Sequence, residues 1–170
     1  MQSVVISKGG MLGLVSILFT LIMYFVAPDM MTKWYISIIT FGIYIYFMTT
    51  AATSFKAQNE GHATFGQALL AAWFTGIIGG LIISIFTYIL YNFIDPSLMD
   101  RVNEAAIEML DKFAGSMPEE EYEKAIEKIE SNNNFGLGAM ATNFIFMTIL
   151  GLIPSLIIAA LTKSKENEFA

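Results

Sequence analysis

The 170-residue sequence contains no cysteine and a single histidine, His62. Without a thiol there is no disulfide, no thiolate nucleophile, no cysteine-ligated metal and no lipid attached at cysteine. Charge is scarce as well. Asp, Glu, Lys and Arg make up 14% of the chain, against about 25% in soluble domains. The deficit is local: between Asp95 and Glu130 stand 11 acids and 4 bases, more than half of all the charges. A soluble helical protein carries charge along one face of every helix; here long blocks carry none. The net charge of −6 therefore belongs to one segment, and the basic surface that a nucleic-acid partner requires is missing. Also missing are a Gly-rich phosphate loop after a strand, a Ser-His-Asp set and a zinc-binding helix motif.

What is present is four uncharged runs. The first is Gly9 to Pro28. Lys8 stands before it, as in a signal peptide, but its apolar core exceeds the roughly 7–15 residues of a signal h-region and Ala27-Pro28 is a poor cleavage context. The reading is a retained helix. Pro28 to Lys33 makes a tight turn, and Trp34 to Phe55 is the second run, opened by Trp34 and Tyr35 at headgroup depth. So short a turn predicts an antiparallel hairpin. After the polar loop Lys56 to Thr64, the third run extends from Phe65 to Ile94. Trp73 and Tyr91 within it are separated by about 27 Å of helix, close to the roughly 30 Å hydrocarbon thickness. Phe65 to Ala72 then reads as an interfacial lead-in, or the helix tilts. Gly76 and Gly80 form a small-xxx-small pair expected to let another helix approach, and Gly79-Gly80 is a candidate kink. The fourth run, Phe135 to Thr162, contains Gly136, Gly138, Gly151 and Pro154, with a kink expected at the proline. The charged stretch Lys163 to Glu168 follows it.

Between the third and fourth runs lies the acidic segment. Asp95-Pro96 is a helix-start signal, an N-cap acceptor before proline at N1. Leu98, Val102, Ala105, Ala106, Met109, Leu110 and Phe113 recur at three- and four-residue steps, which predicts an amphipathic helix ended by Gly115. Ser116 with Glu119 resembles a capping box for a second helix, Pro118 to Ser131, with Tyr122, Ala125, Ile126 and Ile129 on one side. Two arrangements satisfy these stripes: an αα-hairpin closed on itself, or a stripe laid on a membrane or partner. The excess of acids disfavours anionic lipid. Ser131 to Asn134 is a polar break. The expected fold is thus an all-α polytopic membrane protein, one domain over residues 1–170. Its four transmembrane helices fall near 9–28, 34–55, 66–93 and 135–162, with a soluble acidic helical insert, 95–134, between the third and fourth.

Four spans put both termini on one side. Lys8, Lys56, Lys163 and Lys165 flank span ends there, whereas only Lys33 does so on the other, because Arg101, Lys112, Lys124 and Lys128 lie within the acidic insert. Basic residues beside span ends mark the cytoplasmic side. The expectation is cytoplasmic termini and an insert outside the cytoplasm.

The stretch Gly61-x-x-Thr64-Phe65-Gly66-Gln67-Ala68, followed by a long apolar run ending Phe93-Ile94-Asp95-Pro96, resembles the small four-pass bacterial membrane proteins grouped as domain of unknown function 4199. The order of spans, the short polar loop, the Asp-Pro exit and the helical acidic insert extend that resemblance over nearly the whole chain. Gly61, Thr64, Phe65, Gly66, Gln67, Asp95 and Pro96 are the positions that match. The resemblance implies an integral protein of the bacterial inner membrane with no established activity and no catalytic residues to carry over.

Candidates for chemistry are few. His62 in a loop reads as a solvated side chain rather than a ligand. Glu119, Glu120, Glu121 and Glu123 could attract a divalent cation, but successive helical residues point in different directions, so a solvated acidic face is the better reading. No carboxylate, histidine or basic residue of the kind that transporters place in the membrane falls inside the expected spans. Gln67, Ser84, Asn92 and Asn143 are the polar candidates there, and hydrogen bonds between helices account for them. No catalytic, cofactor or metal site is expected. The reading is a non-enzymatic membrane protein that assembles with itself or a protein partner in the bilayer. The alternative is a transport or channel component whose acidic segment concentrates cations at its mouth.

Overall fold

The computed structural model of the chain describes residues 1–27, 30–31, 33–131 and 136–164. Pro28, Asp29 and Thr32 of the expected turn, Asn132 to Phe135 of the polar break, and the stretch after Ser164 with Lys165 lie outside the described residues. Helices account for nearly all of the rest: α1 (Gln2–Val26), α2 (Trp34–Gln58), α3 (Phe65–Ile89), α4 (Ser97–Asp111), α5 (Glu119–Ser131), α6 (Leu137–Leu150) and α7 (Leu152–Thr162). A π-helical turn, Leu90–Ile94, prolongs α3, and a 3-10 turn, Ala114–Ser116, joins α4 to α5.

Four helical segments are long and apolar enough to cross a bilayer: Gln2–Val26, Trp34–Gln58, Phe65–Ile94 and Leu137–Thr162. The first starts earlier than the uncharged run suggests. Lys8 is therefore inside α1, half-buried, and not ahead of it. A lysine two turns into a span reaches the interface with its long stem. Likewise Lys56 lies in the last turn of α2, where it faces the negative end of the helix dipole. The fourth span is two helices because Pro154 has no N–H to donate and its ring crowds the preceding turn. The break falls at Gly151, three residues before the proline. Ser155 answers with its own side chain, donating from Oγ to the Gly151 carbonyl at 2.6 Å.

α3 is the hub of the bundle. It packs against α1, α2, α6 and α7, while α2 also touches α1 and α7. The residues that permit this are mostly alanines. Met48 and Ala52 of α2, Ala68 and Ala72 of α3, and Ile158 and Ala159 of α7 form one buried cluster; Val5, Phe55, Ala63 and Ala71 form a second. Lipid tails are as apolar as side chains, so close van der Waals packing of small residues replaces the hydrophobic effect as the source of association. The packing is lopsided. Apart from a small cluster around Leu90, buried residues occupy the first half of α1 through Ser16, the last half of α2, α3 as far as Gly79 and one face of α7. That is the end of the bundle holding the 59–64 loop. α6 has no buried residue.

The insert is an αα-hairpin. α4 and α5 pack on each other, and the Tyr122 hydroxyl donates to the Asp111 carboxylate. That bond to a charged acceptor pushes the Tyr122 phenol above its ordinary pKa. Among the described residues, the hairpin meets the membrane part at its start, where Leu98 and Val102 join Leu90, Tyr91, Tyr24 and Phe86.

Candidate functional site

The residues of the expected motif fall at two junctions. The first is the loop between α2 and α3. α2 ends in a 6→1 closure, with Gly61 N–H donating to the Lys56 carbonyl at 3.0 Å. This geometry requires a left-handed residue at C′, and Glu60 supplies it (φ 53°), followed by Gly61 (φ 80°). The Asn59 amide donates to the His62 carbonyl at 2.8 Å and holds the loop shut. α3 then starts with a reciprocal capping box. Gln67 N–H donates to Thr64 Oγ1 at 3.3 Å, and Thr64 N–H to Gln67 Oε1 at 3.0 Å. Thr-x-x-Gln is a capping-box spacing, so Thr64 and Gln67 have a structural duty. The far end of the chain joins here. Ser164 N–H donates to the Ala63 carbonyl at 2.9 Å, Ala63 N–H donates to Ser164 Oγ at 2.9 Å, and Ser164 Oγ donates to the Gly61 carbonyl at 3.1 Å. One serine thereby clamps the end of the fourth span onto the start of the third. Phe65 and Gly66 are exposed, and a Cβ at Gly66 would meet open space.

The expected lead-in, Phe65 to Ala72, is the best-packed part of α3: Ala68, Ala71 and Ala72 are fully buried among other helices. The expected second capping box does not form. The 3-10 turn at Ala114–Ser116 leaves Ser116 three residues short of Glu119, the first residue of α5.

The second junction is the Asp-Pro exit. Asp95 Oδ1 accepts from Ser97 N–H at 3.1 Å and Ser97 Oγ at 2.5 Å, and Oδ2 accepts from the Tyr24 hydroxyl at 3.2 Å. Asp95 thus caps α4 and ties it to the end of α1. The Ser97 hydroxyl, helped by Tyr24, the Ser97 amide and the charge of Arg101, holds the Asp95 carboxyl below its ordinary pKa, against a smaller opposing effect of burial. Pro96 stands at the first turn, where its missing N–H costs nothing.

Gly76 and Gly80 both face neighbouring helices, but the closest approach is made at other glycines. A Cβ at Gly76 would lie 3.5 Å from Met48 Sδ, and one at Gly80 would lie 3.5 Å from Phe144 and 3.6 Å from the Tyr44 hydroxyl. These are ordinary contacts. The close approach is between α1 and α3: a Cβ at Gly9 would fall 2.7 Å from Ile78 Cβ, one at Gly13 2.6 Å from Ile82 Cβ, and one at Gly79 inside the Leu12 side chain. Gly9-xxx-Gly13 is itself a small-xxx-small pair and was the available signal. α3 runs through Gly79-Gly80 as continuous helix.

The remaining candidates are scattered. His62 is exposed, with Nδ1 3.0 Å from the Glu60 carbonyl. Glu119, Glu120 and Glu121 are exposed on the first turn of α5, and Glu120 pairs with Lys124 at 2.5 Å. Among the described residues no three His, Asp or Glu side chains converge. Within the spans, Asn92 Nδ2 donates back to the Tyr88 carbonyl at 2.9 Å, and the Trp73 indole donates to the Thr148 carbonyl at 2.9 Å beside the break in the fourth span. Buried Thr75 donates to the Ala71 carbonyl at 2.7 Å. These polar groups serve helix backbones.

Four apolar spans around a small-residue core, joined by hydrogen-bonded junctions, define a polytopic α-helical membrane protein. Residues 8–164 match the model of a family described as a protein of unknown function, DUF4199, and the chain belongs to that family. No curated protein and no solved structure matches it.

Proposed function

We propose that this is a non-enzymatic assembly protein of the bacterial inner membrane, which associates with itself or with a protein partner inside the bilayer. One observation carries the reading: the bundle is knitted at the loop end by alanine contacts and the Ser164 clamp, whereas α6 buries none of its residues. A span with one packed half and one bare half is suited to receiving another helix. Thr75, Asn92 and Ser155 are spent on helix backbones and are not free to bind a substrate. Affinity purification from mild detergent tests this, with oligomer or partner recovery expected. Saturable ion or dye flux through proteoliposomes holding the purified protein would overturn it in favour of a transport component.

The proposed orientation has cytoplasmic termini and the insert outside. Lys8, Lys56 and Lys163 all sit towards the loop end of the bundle, as expected of a cytoplasmic face. Since the chain has no cysteine, Glu120→Cys should react with a membrane-impermeant thiol reagent in intact cells. Labelling only after lysis would reverse the orientation.

A further inference from the structure

Asn143 is a polar group of the spans for which the fold of a single copy has no use; unlike Ser16, which is buried inside the bundle, it faces outward. It is exposed on α6, and its side chain makes no hydrogen bond with any described residue. Asn92, by contrast, turns its amide back onto its own helix. Asn143 lies six residues into the 26-residue span Leu137–Thr162, about 9 Å from the insert end at about 1.5 Å per residue. A hydrocarbon layer of about 30 Å centred on about 39 Å of helix begins about 4–5 Å in. The amide is therefore below the headgroups, and its short side chain does not snorkel as lysine does.

The surroundings of Asn143 have a period. Ala139, Asn143, Phe146, Leu150, Ile153 and Ile157 follow at steps of four, three, four, three and four, and from Asn143 onward all are exposed. The break at Gly151 stays in the right-handed helical region (φ −62°, ψ −16°), so the face carries across it with the 3.5-residue repeat of a two-helix seam, and asparagine stands at an a position, where a single polar residue selects register and partner number.

Resting on the reading of the protein as an assembly component, we infer that this face of the fourth span is a self-association seam whose occupant is the same face of a second copy. The choice of a second copy follows from symmetry and hydrogen-bond complementarity. Two copies inserted in the same sense are related by a twofold axis along the membrane normal, so their fourth spans run parallel and their Asn143 residues meet at equal depth. A carboxamide both donates and accepts, so each satisfies the other. A different protein would need a polar group at that depth by coincidence, and lipid tails offer none. The bare face of α6 gains its missing neighbour at the same time.

Single-cysteine variants of the full-length protein in native membranes test the seam, because the chain supplies no background thiol. Phe146→Cys, Leu150→Cys and Ile153→Cys should form disulfide-linked dimers of this chain under mild oxidation, while Ala141→Cys and Ile145→Cys, on other faces of the helix, should not. In detergent or lipid dilution, Asn143→Leu should weaken dimerisation about tenfold, and Asn143→Gln should retain it. All five cysteines replace lipid-exposed residues, so folding is preserved. If the wild type dimerises but the cross-links ignore the seam or Asn143→Leu binds equally well, the seam is wrong and self-assembly stands. If the seam cysteines capture another protein and the wild type is monomeric, the second copy is wrong and partner assembly stands. A monomer that cross-links to nothing sinks both.

Discussion

Glu60 holds a left-handed conformation at the position where helices ordinarily end in glycine. A side chain there costs about 1 kcal/mol relative to glycine. Glu60→Gly should therefore stabilise the protein, raising Tm by about 2–4 °C for a chain of this size, as read by thermal unfolding in detergent; an unchanged or lower Tm would mean that the carboxylate has a role the loop geometry does not reveal. Asp95 works in the opposite sense, since its hydrogen bonds are stronger to the carboxylate and its folded-state pKa is depressed. Its contribution is present in full above the ordinary value of 3.8 and is lost as pH falls through the lower folded-state value. Asp95→Asn should lower Tm at neutral pH, and the gap to wild type should close as the pH drops below 3.8. A gap that persists in acid would assign Asp95 a packing role instead.

At the scale of elements, the four spans and the two insert helices were legible because uncharged runs and three-four periodicity are properties of sequence alone. Their contacts were not. Gly76 and Gly80 satisfy the small-xxx-small rule as well as Gly9 and Gly13 do, and spacing does not say which face of a helix meets which neighbour. The structure resolves this, placing Gly79 against Leu12 and leaving Gly76 at 3.5 Å from the flexible Met48 sulfur. Ala51, Ala68, Ala71 and Ala72 are similarly silent in sequence, since alanine fits lipid-facing and buried positions alike. Thr64 and Gln67 were visible as motif residues, but the capping box needed the start of α3 to be fixed at Phe65. The consequence is measurable. Gly79→Ala should destabilise the α1–α3 contact by about 1–3 kcal/mol through overpacking, whereas Gly76→Ala should be neutral or slightly stabilising because alanine favours helix. Equal Tm values for the two variants would remove Gly79 from the packing seam.

For the whole molecule, the contrast between the knitted loop end and the bare α6 decides where stability resides. Leu12 is fully buried between α1 and α3 at the knitted end, while Ile149 is 58% exposed on α6. In a dilute detergent monomer, no second copy covers α6. Leu12→Ala should then cost about 2–5 kcal/mol, the range for emptying a packed site, and Ile149→Ala no more than about 0.5 kcal/mol. The insert belongs with the less buried end: among the described residues, its hydrophobic contact with the spans is made by Leu98 and Val102, and α4 and α5 otherwise pack mainly on each other. Replacing residues 104–130 by a short flexible linker should accordingly leave the monomer Tm close to wild type, since the alanine clusters and the Ser164 clamp lie at the opposite end of the spans. If that deletion instead unfolds the bundle, or if Ile149→Ala costs as much as Leu12→Ala, then the bare half contributes to the fold of a single copy and is not held in reserve for a neighbour.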